Sequence, residues 1–183
     1  MKVAYQGVPG AFSWEACRTF LPEWTPVPRA TFANVIKAVQ AGAAGRGMLP
    51  VRNSTAGPVP GVEDLIRESG LLIVGRHRLP IRLHLLGLPD AELEGIVRVT
   101  SHPMALAQCV RWREEAGVTA EDAPNTAMAA EALAESGDPA IGVIASEVAA
   151  EAYGLRILKR DIQDREDNAT TFCVVARDDG EQP

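Results

Sequence analysis

Apolar and polar positions in this chain group into short blocks whose period keeps changing. Residues 2–5 (Lys-Val-Ala-Tyr) alternate as a short strand does, and Gly7, Pro9 and Gly10 follow as a loop. A helix is predicted from near Ser13 to before Pro22, and the proline-rich segment 22–28 reads as loop. Thr31 is placed to cap a helix whose Phe32, Val35, Ile36 and Val39 stand at i, i+3, i+4 and i+7, one apolar face. Further strands are predicted at 47–51, 71–74, 79–86, 96–99, 141–145, 155–158 and 172–176. The polar, turn-rich RNSTAGPVPG (52–61) follows the first of these, and 63–68 reads as one or two helical turns. Ser101 is a predicted N-cap with Pro103 in the first turn, Thr126 heads an Ala-rich helix, and Ser146 caps a helix to about Tyr153.

Strand, polar loop and helix recur in that order. The pattern predicts an α/β fold with sheets covered on both faces. It also puts Ser13, Ser101, Thr126 and Ser146 at helix starts. No fixed-period repeat and no low-complexity tract interrupts it.

The 183 residues suffice for one domain or two small ones. A globule of this size buries roughly 70% of its unfolded surface, so it needs no metal or disulfide staple. Eighteen Lys and Arg stand against 24 Asp and Glu, a net charge of -6 that speaks against nucleic acid or an anionic membrane as partner. Cys17, Cys109 and Cys173 are odd in number and far apart, which excludes a disulfide framework and a CxxC site and points to a reducing compartment. His77, His84 and His102 lack metal-ligand spacing. The N-terminus has no signal-like apolar region and no stretch is long enough to span a bilayer, so the cytoplasm is expected.

No Walker A, GxGxxG, HExxH or GxSxG pattern is present. What remains is a set of hydroxyl and amide loops at predicted helix starts: QGVPGAFS, RNST, TSHP, NTA and NATTF. Helix N-termini offer unpaired N–H groups that suit carboxylates, so such loops would hold a small organic anion without metal or lysine. Each residue also has a plain structural reading. The Ser and Thr residues are preferred caps, Asn53 suits an Asx-turn, His102 before a proline orients a loop, and Cys109 and Cys173 lie in apolar runs typical of core.

Taken together the segments resemble the catalytic domain of prephenate dehydratase. Tyr5 to Ser13 (YQGVPGAFS) is similar to the family's glycine-rich opening. Pro50-Val51-Arg52-Asn53-Ser54 with Gly57 resembles its P-x-E-N-S-x-x-G loop. Ser101-His102-Pro103 with Ala105-Leu106-Ala107-Gln108-Cys109 follows S-H-P-Q-A-L-x-Q-C. Thr126-Ala127 with Ala129-Ala130 resembles S-T-A-x-A-A. Ile162-Gln163-Asp164 and Asn168-Ala169-Thr170-Thr171-Phe172 correspond to I-Q-D and N-x-T-R-F.

The resemblance implies two α/β lobes like a type II periplasmic binding protein, with a ligand cleft between them. One lobe would take 1–76 plus 164–183 and the other 77–163, together one catalytic domain. It implies a cytoplasmic, homodimeric lyase of phenylalanine biosynthesis, without cofactor or metal, that converts prephenate, a substrate with two carboxylates, to phenylpyruvate with loss of water and carbon dioxide. The family's catalytic threonine falls on Thr170, a hydrogen-bond donor or relay to the leaving hydroxyl. Asn53 and Ser101 would share the catalytic role. Ser13, Arg52, Ser54, Thr126, Thr171 and Phe172 would bind and orient the substrate.

Two residues depart from the family pattern: Arg52 stands where it has glutamate and Thr171 where it has arginine. If those two side chains are paired, losing one alone would strand the other. Losing both together removes that problem, and Arg52 then supplies the positive charge that position 171 lacks; the alternative is that both positions simply drifted. The regulatory ACT domain would follow the catalytic domain, and the chain stops seven residues after Ala176, so feedback by that route is not expected. A non-aromatising prephenate decarboxylase or related lyase fits the altered charges; retention of Thr170 favours dehydration. A non-catalytic carboxylate-binding module is the third reading, because a fold does not fix a function.

Overall fold

The computed structural model describes residues 1–178. In chain order the elements are β1 (Lys2–Gln6), α1 (Phe12–Phe20), β2 (Thr25–Arg29), α2 (Phe32–Gln40), β3 (Arg46–Asn53), β4 (Gly57–Pro58), α3 (Val62–Glu68), β5 (Leu72–Pro80) and β6 (His84–Gly87). Then come β7 (Arg98–Ser101), α4 (Pro103–Ala107), α5 (Val110–Ala116), β8 (Thr119–Asp122), α6 (Thr126–Ser136), β9 (Ile141–Ala145), α7 (Glu147–Tyr153), β10 (Arg156–Lys159) and β11 (Ala169–Ala176).

The chain forms two compact units. One holds Met1–Val8, Phe12–Pro80 and the described residues from Asn168; the other holds Pro9–Ala11 and Ile81–Asp167. The boundaries therefore fall at 80/81 and 167/168, not at 76/77 and 163/164. The reason is pairing: β5 stays hydrogen-bonded to β11 as far as Pro80 opposite Ala169.

The first unit carries a six-stranded sheet in the order β2-β1-β3-β11-β5, with β4 beside β3. β1 is parallel to β2 and β3, whereas β11 runs antiparallel to both β3 and β5. Its core joins Val35, Ile36 and Ala38 of α2 to Leu49, Val51, Cys173 and Val175 of the strands. Thr31 caps α2 as expected, its hydroxyl accepting from the Asn34 N–H at 3.1 Å. A Cβ at Gly47 would lie 2.9 Å from Val175 Cγ2 and 3.0 Å from Val35 Cγ1, so only glycine lets α2 sit this close to β3.

The second unit carries a five-stranded sheet in the order β10-β6-β9-β7-β8. Here β7 is parallel to β8 and β9, while β6 is antiparallel to β9 and β10. Both sheets are thus mixed, within an α/β architecture.

Several local expectations change. The segment 22–28 is not all loop, because β2 is an edge strand. Pro26 and Pro28 alternate with Thr25 and Val27, and an edge strand needs N–H donors on one side only. The predicted strand 79–86 does not exist as one element. Its first residues complete β5, and β6 starts at His84 in the other sheet. The short strand β8 (Thr-Ala-Glu-Asp) is exposed along its whole length and carries no apolar pattern to predict it. Nor are the sheets covered on both faces throughout, since Leu72, Ile73 and Val74 of edge strand β5 are 46%, 40% and 50% exposed.

Candidate active site

The polar corner of the first sheet is built from the ends of β3 and β11. The NATTF segment is strand from Ala169 onward, and the register sets Thr170 against Asn53 and Thr171 against Arg52. Asn53 is used fully. Its Nδ2 donates to Asn168 Oδ1 and to Thr170 Oγ1, both at 3.0 Å. Its Oδ1 accepts from the N–H groups of Thr55 and Ala56 at 2.9 and 2.8 Å, the Asx-turn that the residue type suggested. Ser54 closes the corner, with its N–H on the Ala169 carbonyl at 2.8 Å and its Oγ accepting from the Ala169 N–H at 2.9 Å.

This wiring has a chemical consequence. Thr170 Oγ1 accepts a hydrogen bond from an amide, and a hydroxyl that accepts keeps its own proton to donate. The residue is 9% exposed, so that donor is partly shielded from water, where a directed hydrogen bond is stronger. Asn168, only 2% exposed, is a further member of this corner that the sequence reading left among the motif letters. Its place inside NATTF was the available signal.

Strand alternation corrects two of the predicted ligand contacts. Thr170 and Asn53 share a face, as their hydrogen bond requires, and neighbouring residues on a strand point to opposite faces. Thr171 and Arg52, themselves register partners, therefore project from the other face. They do not stand beside the Thr170 hydroxyl. Positions 52 and 171 are nonetheless direct cross-strand neighbours, the arrangement that a pair of opposite charges there would need. Phe172 is also not a ligand contact: it is 1% exposed, packed in the core between register partners Pro50 and His77. His77 stacks on Phe20 of α1 with ring centroids 4.6 Å apart, so α1, which carries buried Ser13 as its second residue, packs on the Thr170 face.

In the second unit most of the motif polar groups serve the fold. Ser101 is the last residue of β7 and fully buried, and its hydroxyl donates to the Ile144 carbonyl at 2.6 Å. It neither caps α4 nor offers a surface to a substrate. The cap is His102, whose Nδ1 accepts from the Met104 N–H at 3.1 Å. Thr126 is the first residue of α6, and Asn125 is its cap, Oδ1 accepting from the Met128 N–H at 2.8 Å. Ser146 does cap α7, and its hydroxyl also donates to the Gly10 carbonyl at 3.0 Å. The glycine-rich opening is fastened there. Tyr153 donates to the Pro9 carbonyl, and a Cβ on Gly10, at φ +85°, would lie 2.9 Å from Ala149 Cα.

Ile162-Gln163-Asp164 is a structural stitch. The Ile162 N–H donates to the Leu83 carbonyl at 2.8 Å, and Gln163 Oε1 accepts from the Leu83 N–H at 2.9 Å. The Asp164 carboxylate accepts from the N–H groups of Val110 and Arg111 at 3.0 and 3.1 Å, holding the start of α5. The cysteines are reduced and buried. Burial pushes the Cys17 and Cys109 thiols up to about 12 and raises that of Cys173, which leaves none as a ready nucleophile. Among the described residues no group of three or more His, Cys, Asp or Glu could hold a metal, and no helix is long and apolar enough to cross a membrane.

A family profile described as prephenate dehydratase matches residues 3–180. The bifunctional N-acyl-homoserine lactone acylase/prephenate dehydratase of Komagataeibacter europaeus is 42% identical over 175 residues, which are 96% of this chain and 62% of that protein. Arogenate dehydratase/prephenate dehydratase 1 of Arabidopsis thaliana is 38% identical over 97% of this chain and 45% of its own length. The chain thus spans less than two thirds of these relatives. Among solved structures, that of GqqA, described as a quorum quenching acylase, superposes with a TM-score of 0.92 at 40% identity, over 100% of this chain and 66% of that one. Prephenate dehydratase from Arthrobacter aurescens in complex with L-Phe gives 0.88 at 30% identity, over 97% and 60%. A nutrient binding protein from Burkholderia cenocepacia shares the fold alone, with a TM-score of 0.52 at 11% identity, over 100% of this chain and 87% of that one.

Proposed function

The chain belongs to the prephenate dehydratase family, and from that premise we propose that it converts prephenate to phenylpyruvate, with Thr170 as the hydrogen-bond donor to the departing ring hydroxyl. In this reaction the ring C–O bond breaks, and so does the bond from the ring to its carboxylate. The electron pair of the second bond enters the ring and completes the aromatic system, one proton joins the leaving hydroxide, and water and carbon dioxide depart. Hydroxide is a poor leaving group, so the protein's task is a directed donor at that oxygen.

The observation that carries the reading is the 3.0 Å hydrogen bond from Asn53 Nδ2 to Thr170 Oγ1. It orients the hydroxyl, polarises it, and leaves its proton as the outgoing donor. A threonine hydroxyl is too weak an acid to be consumed as one, so the proton that ends in the product water passes through it from solvent. Asn53 and Asn168 are positioning residues for that hydroxyl. Ser54, Ser13 and Thr126 of α6 remain candidate substrate ligands.

The test is product analysis with the purified chain. Prephenate should yield the aromatic keto acid with matched release of carbon dioxide. A keto acid that keeps its ring hydroxyl would identify a decarboxylase, and unchanged prephenate that raises the unfolding temperature would identify a binding module. Arogenate, run in parallel, assigns the side chain preferred, since relatives bear either name. A second reading, hydrolysis of an N-acyl-homoserine lactone, is favoured by the likeness to a relative whose name carries it and to a structure described as a quorum quenching acylase. Fatty acid release from such a lactone, undiminished in Thr170→Val, would place that activity elsewhere. The reading also expects a homodimer working in the cytoplasm, checked by light scattering on the purified chain and by microscopy of a tagged one.

A further inference from the structure

The corner that holds Thr170 is thinly supported from the β3 side. Register between β3 and β11 slips by one residue between Thr171 and Phe172, a β-bulge. Beyond it only two register pairs remain, Thr171 with Arg52 and Thr170 with Asn53. After Asn53 the chain turns out of the sheet, held by the bonds from the Thr55 and Ala56 N–H groups to Asn53 Oδ1. Ala169, the residue of β11 before Thr170, therefore faces a strand that has ended.

Ser54 fills that gap with two bonds of different origin. Its main-chain N–H donates to the Ala169 carbonyl at 2.8 Å, as the next rung of an antiparallel ladder would. In a continuing ladder the reciprocal bond would run from the Ala169 N–H to the Ser54 carbonyl. It runs instead to Ser54 Oγ, at 2.9 Å. The side chain supplies the acceptor that the turning main chain has carried away. Both main-chain polar groups of Ala169 thus meet Ser54, and on its other side Ala169 stands opposite Pro80, which has no N–H to give. Ala169 is 3% exposed, so water is a poor substitute for a bond lost there. Its two neighbours in sequence, Asn168 and Thr170, are the two acceptors of the Asn53 amide.

We infer that Ser54 is a positioning residue for the reaction. Through Ala169 it fixes the main chain between Asn168 and Thr170 and so aims the Thr170 hydroxyl, rather than meeting the substrate itself. A buried N–H left without an acceptor is costly, and a small main-chain shift relieves that cost. Such a shift at Ala169 carries Asn168 and Thr170 with it, and a donor displaced by a fraction of its bond length loses much of its effect on a transition state. The inference rests on the dehydratase reading.

The experiment compares the purified wild-type chain with Ser54→Ala and Ser54→Thr, by steady-state kinetics on prephenate and by hydrogen exchange of the Ala169 amide. Ser54→Ala removes the acceptor. Ser54→Thr keeps it, and position 54 is exposed enough to take a methyl group. In Ser54→Ala the Ala169 amide should exchange about tenfold faster or more, and kcat should fall about tenfold with KM within about twofold of wild type. Ser54→Thr should restore both the amide and the rate. A KM that rises while kcat holds would make Ser54 a substrate ligand and overturn the inference. So would an Ala169 amide unchanged in Ser54→Ala, or an amide that threonine restores without the rate. A wild-type kcat in Ser54→Ala overturns this inference alone, whereas a wild-type chain that forms no phenylpyruvate overturns the dehydratase reading together with it.

Discussion

Two motif-rich regions of this chain treat their polar groups in opposite ways. At the corner of β3 and β11, Asn53 spends its amide holding the Thr170 oxygen, and the hydroxyl proton is left over. In the second unit, Ser101 spends its proton on the Ile144 carbonyl, and Asp164 spends both carboxylate oxygens on the start of α5. The motif letters look equally chemical in both regions. Hydrogen-bond accounting separates them, because a group that has satisfied the fold has nothing to offer a substrate.

The sharpest way to break this contrast is Thr170→Val, which removes the donor and keeps the shape. Turnover of prephenate should fall on the order of a thousandfold with far-ultraviolet circular dichroism unchanged. A near-normal rate would return Thr170 to the fold. Asn53→Asp should come next, since a carboxylate cannot donate to Thr170 Oγ1 or Asn168 Oδ1. A loss of roughly a hundredfold in kcat, larger than any change in KM, is expected from general acid–base magnitudes.

The opposite behaviour is expected of the second unit. Ser101→Ala and Asp164→Ala should each lower stability by about 1–2 kcal/mol in denaturant unfolding, with kcat per folded molecule preserved. A kcat collapse in either, at unchanged stability, would abolish the distinction between the regions. Arg52→Ala sharpens the comparison from another side. It projects from the face away from Thr170, so kcat/KM for prephenate should stay within about twofold of wild type, as for surface changes away from a site.

The smallest effect is in pH. Burial lowers the His84 imidazole below 6.5, opposed by the charge of Asp161, and its Nδ1 accepts from the Asp161 N–H at 2.9 Å. The unfolded chain takes up that proton more readily than the folded one. The stability from neutral His84 is thus complete above 6.5 and is lost as pH falls through the folded value. His84→Asn should flatten the acid side of a plot of unfolding midpoint against pH.

Much of the fold was legible because periodicity reports burial. The apolar face of α2 repeats at helical spacing, and the runs that became β3, β9 and β11 are short, near-continuous apolar blocks, as buried strands leave. The misread elements share a cause. β2 carries prolines that only an edge position tolerates, and β8 has no buried face to leave a pattern. Two caps are displaced by one residue from the expected ones: His102 follows Ser101, and Asn125 precedes Thr126.

The site divides in the same way. Sequence alone determined the family, through the ordered motifs from YQGVPGAFS to NATTF, and it singled out Thr170 and Asn53 as the candidates that the proposed reaction uses. It also exposed the exchange of charges at positions 52 and 171. Only tertiary structure decided which face each residue occupies and which partner consumes its hydrogen bonds. A side chain's direction depends on strand register, and register joins Asn53 to Thr170 across more than a hundred residues of chain. No local pattern encodes a pairing at that separation, so the free hydroxyl of Thr170 and the spent one of Ser101 become distinguishable only once the strands have paired.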